Sequence, residues 1–533
     1  MGNASLTGSL FLFVFNFIFY LPFQISPAMK KYSFLVYLLM MATFTNAQNS
    51  IGIFQNQFDI GNTQPGSAAY NTLTQEYTVE GSGNNIWFNH DGFHYVCTQL
   101  KGDFILRCNG SLIGKGVEAH RKLGWMIRSS LDSTSACASV AVHGDGLTSL
   151  QYRQNNNDSM KEVRSKLTGA DVIQLERRGN MYIMSVAHKG DVFSEDSIQL
   201  DLGDDVYAGL FVCSHNATVK EKAAFHNVRV VIPAPPTLVP YKDYLGSQME
   251  IMDVETGHSR IIYQSPRSFQ APNYMPDGRS LLYNSDGLIY LLDLATNKPS
   301  VLNTGTVTRN NNDHVISFDG KMLGLSSGSS DDNASKVYTV PLTGGEPKRI
   351  TATGPSYLHG WSPDGKFLVF VGQRNNEFDI YKIASDGSGK EIQLTTAKGL
   401  DDGCEYSRDG KYIYFNSTRT GSMQIWRMHP DGSKQEQLTN DEFNNWFPHI
   451  SPDGKWVAFI SFGKEVSPTD HPFYKHVYIR LMPADGGNIK VLAVVYGGQG
   501  TMNTPNWSPD GKYLAFVSNS NFLSPAYQTE VLK

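Results

Sequence analysis

Cysteine is scarce: the 533 residues hold five. No two of them stand in a Cys-x-x-Cys spacing, which argues against a zinc site built of cysteines. An excess of one charge is also missing. Charged residues make up 18% of the chain and the formal net charge is −5, which argues against a nucleic-acid partner. After residue 48 no apolar run approaches the ~20 residues of a membrane-spanning helix. No long helical periodicity appears either. The Gly497-Gly498-Gln499-Gly500 run is not a phosphate loop, because no Lys-Ser/Thr follows it and no helix begins there.

The chain is rich instead in turn formers and aromatics. Its 49 Gly, 26 Tyr and 29 Phe suit an all-β protein with many tight turns. Six short phrases punctuate the second half: Met275-Pro-Asp-Gly278, Ser317-Phe-Asp-Gly320, Ser362-Pro-Asp-Gly365, Ser407-Arg-Asp-Gly410, Ser451-Pro-Asp-Gly454 and Ser508-Pro-Asp-Gly511. Each precedes Lys or Arg and then a strand-like run. Asp-Gly supplies the turn, since Gly takes positive φ cheaply and Asp bonds its own backbone. Each repeat parses as four strands; in the third these are 360–362, 367–371, 379–383 and 391–394. The third strands carry an aromatic at one register (Tyr290, Tyr338, Tyr381, Trp426, Tyr478), expected to pack between blades.

The sixth copy stops after its second strand. The missing pair is expected at the front of the region, where 249–254 aligns with 289–294 through Asp253 and Asp293. Six blades, closed by strands from both ends, follow for residues 245–520, and closure removes free sheet edges.

Residues 51–231 lack the repeat. Runs at 76–80, 85–89, 93–98, 103–109, 124–129, 138–142, 149–154, 171–177, 181–187, 207–214 and 225–231 read as strands of a β-sandwich. The Pro-rich stretch 232–244 reads as a stiff hinge and 521–533 as a tail. At the front, Met29-Lys30-Lys31, an apolar run and Thr45-Asn46-Ala47 form a secretory signal cleaved after Ala47, with Met29 as the expected start. A membrane anchor at 11–25 is the alternative, on a run short for a span. One disulfide among Cys97, Cys108, Cys137 and Cys213 is open in an oxidising compartment; buried free thiols are the other reading.

Trp361–Gly365 and Trp507–Gly511, with the blade endings Leu394-Thr395 and Leu438-Thr439, resemble the Trp-Ser-Pro-Asp-Gly blades of the TolB-like propeller family, over roughly 245–520. The resemblance implies a six-bladed propeller that binds a partner at its mouth, and a periplasmic or secreted location, outer-membrane association included. Similar blades occur in peptidase propellers and in oligogalacturonate lyases, which use a His-rich manganese site. There is no room here for a hydrolase domain, and no nucleophile elbow is expected. The TolB N-terminal domain is α/β, whereas 51–231 reads as all-β. The phrases 124–128 and 207–215 resemble concanavalin-like jelly-roll domains, which often bind or process glycans. The pairing is similar to secreted proteins of Bacteroidetes-type bacteria.

Candidate sites follow from this frame. The loops entering the innermost strands end in Asn273, His314, His359, Glu405, His449 and Asn506. Asn273, Glu405 and Asn506, with Trp446 and Phe447 for sugar stacking, are the expected ligand contacts at the mouth. His314, His359 and His449, joined by His471 from an insertion in blade five, are candidate ligands for a divalent metal, Mn or Zn. Polar channel lining is the other reading, since no His-x3-His spacing occurs. His314 and His359 also align one residue away from Glu405 and His449. In the sandwich, Arg128 and Arg153 are candidates to bind a carboxylate bidentately, among Trp87, His90, His94, His120, Arg121, Trp125, His143 and Asp145. Two functions compete: a monomeric binding protein for a glycan or a cell-envelope protein, and a metal-assisted polysaccharide or oligouronide lyase.

Overall fold

A computed structural model describes residues 51–522. The signal and anchor readings at the front of the chain lie outside the described residues, as does the tail from 523. Among the described residues there is no helix, and so none long and apolar enough to cross a membrane.

Residues 56–231 form two seven-stranded sheets. The first runs, edge to edge, Asn56–Ile60, Phe93–Lys101, Asp205–Cys213, Lys122–Arg128, Cys137–His143, Thr148–Arg153 and Lys161–Arg164. The second runs Ser194–Gln199, Met181–Ala187, Val172–Arg178, Phe104–Ile113, Asn216–Val231, Glu76–Gly83 and Ser67–Asn71. Alternation on each strand turns one set of apolar side chains inward. Leu123, Trp125, Ile127 and Leu210 of the first sheet meet Leu106, Leu175, Met184 and Phe225 of the second in one core. The outer face of the first sheet is covered too, by Ile86, Met160 and the partly buried Trp87 and Leu131, from the loops around it. The run 85–89, read as a strand, is instead a minute hairpin of Ile86–Trp87 with His90–Asp91.

Five four-stranded blades follow, with innermost strands Gln270–Tyr274, Asn310–Ile316, Ser356–Trp361, Asp401–Tyr406 and Asn444–Ile450. The sixth joins both ends of the region. Tyr513–Ser520 pairs with Gly246–Asp253, which pairs with Ser259–Ser265, while Trp507 bridges Leu514 on the inner side. The Asp253/Asp293 equivalence is visible in the bonding. Each carboxylate accepts from the N–H and hydroxyl of the Thr three residues on, Thr256 and Thr296.

The repeated phrase works as a hydrogen-bonded knot. In five copies the Ser hydroxyl donates to the Asp carboxylate at 2.6–2.7 Å and accepts the N–H five residues on, as with Ser362, Asp364 and Phe367. The motif tryptophans staple neighbouring blades: Trp361 Nε1 donates to the Val315 carbonyl and Trp507 Nε1 to that of His449, both at 2.9 Å. Tyr290 and Tyr381, third-strand aromatics, stack on cross-strand partners of their own blade, Tyr283 and Phe370. The string Gly324-Leu325-Ser326-Ser327-Gly328 has the spacing of a nucleophile elbow, which the sequence reading overlooked. It lies inside the strand Met322–Gly328, and its buried Ser326 hydroxyl accepts the Leu358 N–H. An elbow needs a strand-to-helix turn, so no nucleophile is presented.

The two-sheet region and the propeller are joined by specific polar contacts. Arg229 reaches Glu250 at 2.6 Å, Gln75 bonds both backbone groups of Ile261, and Asn227 bonds Gly257 and Ser259. The Pro-rich segment lies along the propeller, where Ala234 N–H donates to the Tyr496 hydroxyl.

Candidate functional site

The innermost strands of all five four-stranded blades carry a register shift, the second blade's falling between Asn310 and His314. Pairing slips between Gln270 and Asn273, Leu358 and Gly360, Asp402 and Glu405, and Trp446 and His449. A bulge turns the residues before it away from the alternation that governs those after it. Ala271, Gly403 and Phe447 occupy the bulges with φ of +56°, +63° and +54°. A Cβ at Gly403 would stand 2.3 Å from Asn416 Oδ1, the atom that accepts the Phe447 N–H, so only glycine allows this approach.

Upstream of the bulges the blades open into a cavity of about 970 Å³ at the propeller mouth. Amides (Gln270, Asn310, Asn312, Asn376, Gln499, Asn503) and aromatics (Tyr241, Tyr244, Tyr357, Phe378, Phe447, Phe473) share its wall, with Gln270, Asn312, Gln499 and Asn503 bonded in one run. Asp286, Asp313, Glu377 and Asp402 are its carboxylates and Lys398 its one lysine. At the floor, His359 Nε2 lies 3.1 Å from Asp402 Oδ1. Burial alone would lower the His359 pKa, but Asp402, with Asp313 and Glu405, holds the imidazole above its ordinary value. Burial likewise opposes the charge on Asp402, yet His359 keeps that carboxyl below its usual range. Asp313 is pushed up to about 6 by burial, with Asp402 adding and His359 opposing.

Of the residues expected at the mouth, His359, His471 and Phe447 line this cavity. His471 packs edge-on against Trp446 (4.4 Å between centroids) and Phe447 (5.3 Å). Trp446 is therefore not an exposed stacking platform: the insertion covers it completely. The residues after the bulges face the packed wall between blades. Asn273 donates to the Pro505 carbonyl and Asn506 to that of Ala515. Glu405 meets His449 Nδ1 at 2.6 Å, and His449 Nε2 donates to the Met502 carbonyl at 2.8 Å, tying blades four, five and six. His314, one residue beyond Asp313, is fully buried, and burial pushes its imidazole down to about 4. Strand alternation sends Asp313 into the cavity and His314 away from it.

The four histidines are thus spread over different surroundings. Among the described residues, the groups whose ligand atoms lie within 4.8 Å of one another are Glu76 with His226 and His258, and His120 with His143 and Asp145. Sequence reasoning missed Asp402, Asn312 and Gln270; the available signal was the left-handed Gly403 after the Asp401-Asp402 pair.

Arg128 and Arg153 do bind a carboxylate, but it is the protein's own. Asp91 receives Arg128 Nη1 at 3.0 Å and Arg153 Nη1 and Nη2 at 2.9 and 2.6 Å, with all three side chains fully buried. Backbone carbonyls of Ser130, Asp132, Ser135 and Asp158 take further donors. The pair is a structural brace, not a site open to ligand. All five cysteines are buried free thiols.

Residues 359–471 match the family model described as the TolB beta propeller domain. An uncharacterized protein of Agrobacterium fabrum is 48% identical over 274 residues, 51% of this chain and 92% of that one. A solved structure from Agrobacterium tumefaciens, assigned provisionally to TolB, is 47% identical. It covers 52% of this chain and 99% of its own, with a TM-score of 0.50. TolB from Acinetobacter baumannii is 20% identical, covering 48% of this chain and 64% of its own at a TM-score of 0.38.

Proposed function

Since the chain belongs to the TolB-like β-propeller family, we propose that it is a binding protein whose ligand seats in the propeller mouth. The observation that carries this reading is the lining of the cavity of about 970 Å³, which combines amides with aromatic side chains. That size lies at the upper end for ligand sites. Amides pair with hydroxyls as donors and acceptors, and aromatic faces take the apolar faces of sugar rings, so a neutral, polyhydroxylated ligand such as an oligosaccharide fits best. Four carboxylates against one lysine oppose a uronate, which weighs against the oligouronide-lyase reading. A periplasmic or secreted location accords with this role.

A second reading, a protein partner at the mouth, is favoured by the rim. Tyr241 is 60% exposed and Tyr244 44%, both packed edge-on against Phe473. Titration calorimetry with neutral oligosaccharides and with oligogalacturonides separates these readings. Saturable binding of a neutral sugar, weakened at least tenfold by Phe378→Ala, supports the first. Binding indifferent to Phe378→Ala and Asn312→Ala overturns it, and cleavage of oligogalacturonides would establish the lyase.

A further inference from the structure

Away from the mouth, three side chains from two regions converge at the junction of the two-sheet region and the propeller. Glu76 lies at the start of the strand Glu76–Gly83, His226 at the register break of the strand Asn216–Val231, and His258 in the turn before Ser259–Ser265 of the closing blade. Glu76 Oε1 stands 2.7 Å from His226 Nδ1 and 3.7 Å from His258 Nδ1. The two imidazoles stack at 4.1 Å between centroids, 21° from parallel. His226 Nδ1 is buried, yet despite its closeness to the carboxylate it is not aligned for a hydrogen bond. One ligand atom of each of the three side chains thus lies within 4.8 Å of the others.

The surroundings hold the three in place. The Thr74 hydroxyl donates to Glu76 Oε2 at 3.0 Å, leaving Oε1 toward the rings. Asn227, next to His226, donates to the Gly257 carbonyl at 2.9 Å and accepts the Ser259 N–H at 2.8 Å, so one side chain fixes the two residues flanking His258. Such outer contacts orient ligands in metal sites. His226 and His258 also line a cavity of about 300 Å³, which leaves room for an exchangeable ligand.

We propose that Glu76, His226 and His258 form a binding site for a divalent transition metal of the zinc class, which clamps the two-sheet region to the closing blade. Two imidazoles and a carboxylate are a recognised zinc donor set, and tetrahedral bonds of ~2.0–2.1 Å place donors about 3.4 Å apart. The carboxylate-to-imidazole distances of 2.7 and 3.7 Å bracket that spacing, and rotation of one imidazole out of the stack turns its lone pair toward the ion.

The test strips the full secreted chain with a chelator and titrates it with Zn²⁺ against a chromophoric competitor, with Co²⁺ absorption as a second readout. One equivalent is expected. His226→Ala and His258→Ala should each weaken it more than tenfold, and Thr74→Ala by about 10–100-fold through the carboxylate it orients. His258→Gln, in an exposed turn, guards against misfolding as the cause. His120→Ala, in the other cluster, should leave the equivalent unchanged. No bound equivalent, or binding that survives both His226→Ala and His258→Ala, overturns the proposal.

Discussion

Replacing Asp91 by Asn tests whether Arg128 and Arg153 belong to the scaffold rather than to a ligand site. Among the described residues, the Asp91 carboxylate is the one acidic partner of either guanidinium, through contacts of 3.0, 2.9 and 2.6 Å, in a fully buried setting. An amide of the same shape keeps the packing but leaves two buried positive charges with backbone carbonyls alone. Removing one partner of a buried ion pair costs about 3–5 kcal/mol. For a region of this size about 1 kcal/mol moves the thermal midpoint by roughly 2–4 °C, so the transition of the two-sheet region should fall by roughly 6–20 °C. Differential scanning calorimetry, with fluorescence of the buried Trp125 to identify the transition, reads the shift. A loss below 1 kcal/mol would refute the reasoning and return both arginines to the list of ligand contacts.

Other outcomes follow from the same contacts. Burial, with Lys122 second, pulls His143 down to about 3, and burial pulls His314 down to about 4, while unfolded histidine titrates near ~6.5. The unfolded chain therefore binds more protons below ~6.5, and the stability these residues contribute is full above that pH and lost as pH falls toward 4 and 3. Urea midpoints between pH 8 and 4 should show this loss, and His314→Gln should reduce it. Because Asp313 gains its charge near pH 6, ligand affinity at the mouth should change slope there; calorimetry at several pH values should find the inflection absent in Asp313→Asn. Ser407→Ala removes the hydroxyl between Asp409 and the Tyr412 N–H and should cost about 1 kcal/mol by denaturant unfolding. Ending the chain after Lys512 removes Tyr513–Ser520 and exposes the edge of Gly246–Asp253; soluble yield should collapse, as size-exclusion chromatography would show.

The six-bladed ring was legible because its signal is repetitive and covalently local. The Asp-Gly turns recur, and the truncated last copy points to its complement at the front. In the two-sheet region the inner strands were legible by alternation, yet Asn56–Ile60, Ser67–Asn71, Lys161–Arg164 and Ser194–Gln199 were not. All four are edge strands. Edges are short and polar because they face water on one side, so the pattern that reveals inner strands is absent from them. Part of the mouth lining was misread for a similar reason. Counting back from the turn assumes strict alternation, whereas the bulges at Ala271, Gly403 and Phe447 shift the register. Asn273, Glu405 and His449 thereby fall into the wall, and Gln270 and Asp402 into the cavity. Long-range partners such as Asp91 for Arg128 and Arg153 leave no trace in local spacing.

The central claim is that ligand seats in the amide- and aromatic-lined mouth. A crystal structure of the protein with the oligosaccharide that calorimetry selects tests it most directly. Sugar density is expected between Asn312, Asp402 and Phe378, with a ring against an aromatic face. Density confined to the two-sheet region, with the mouth free of ligand, would contradict it.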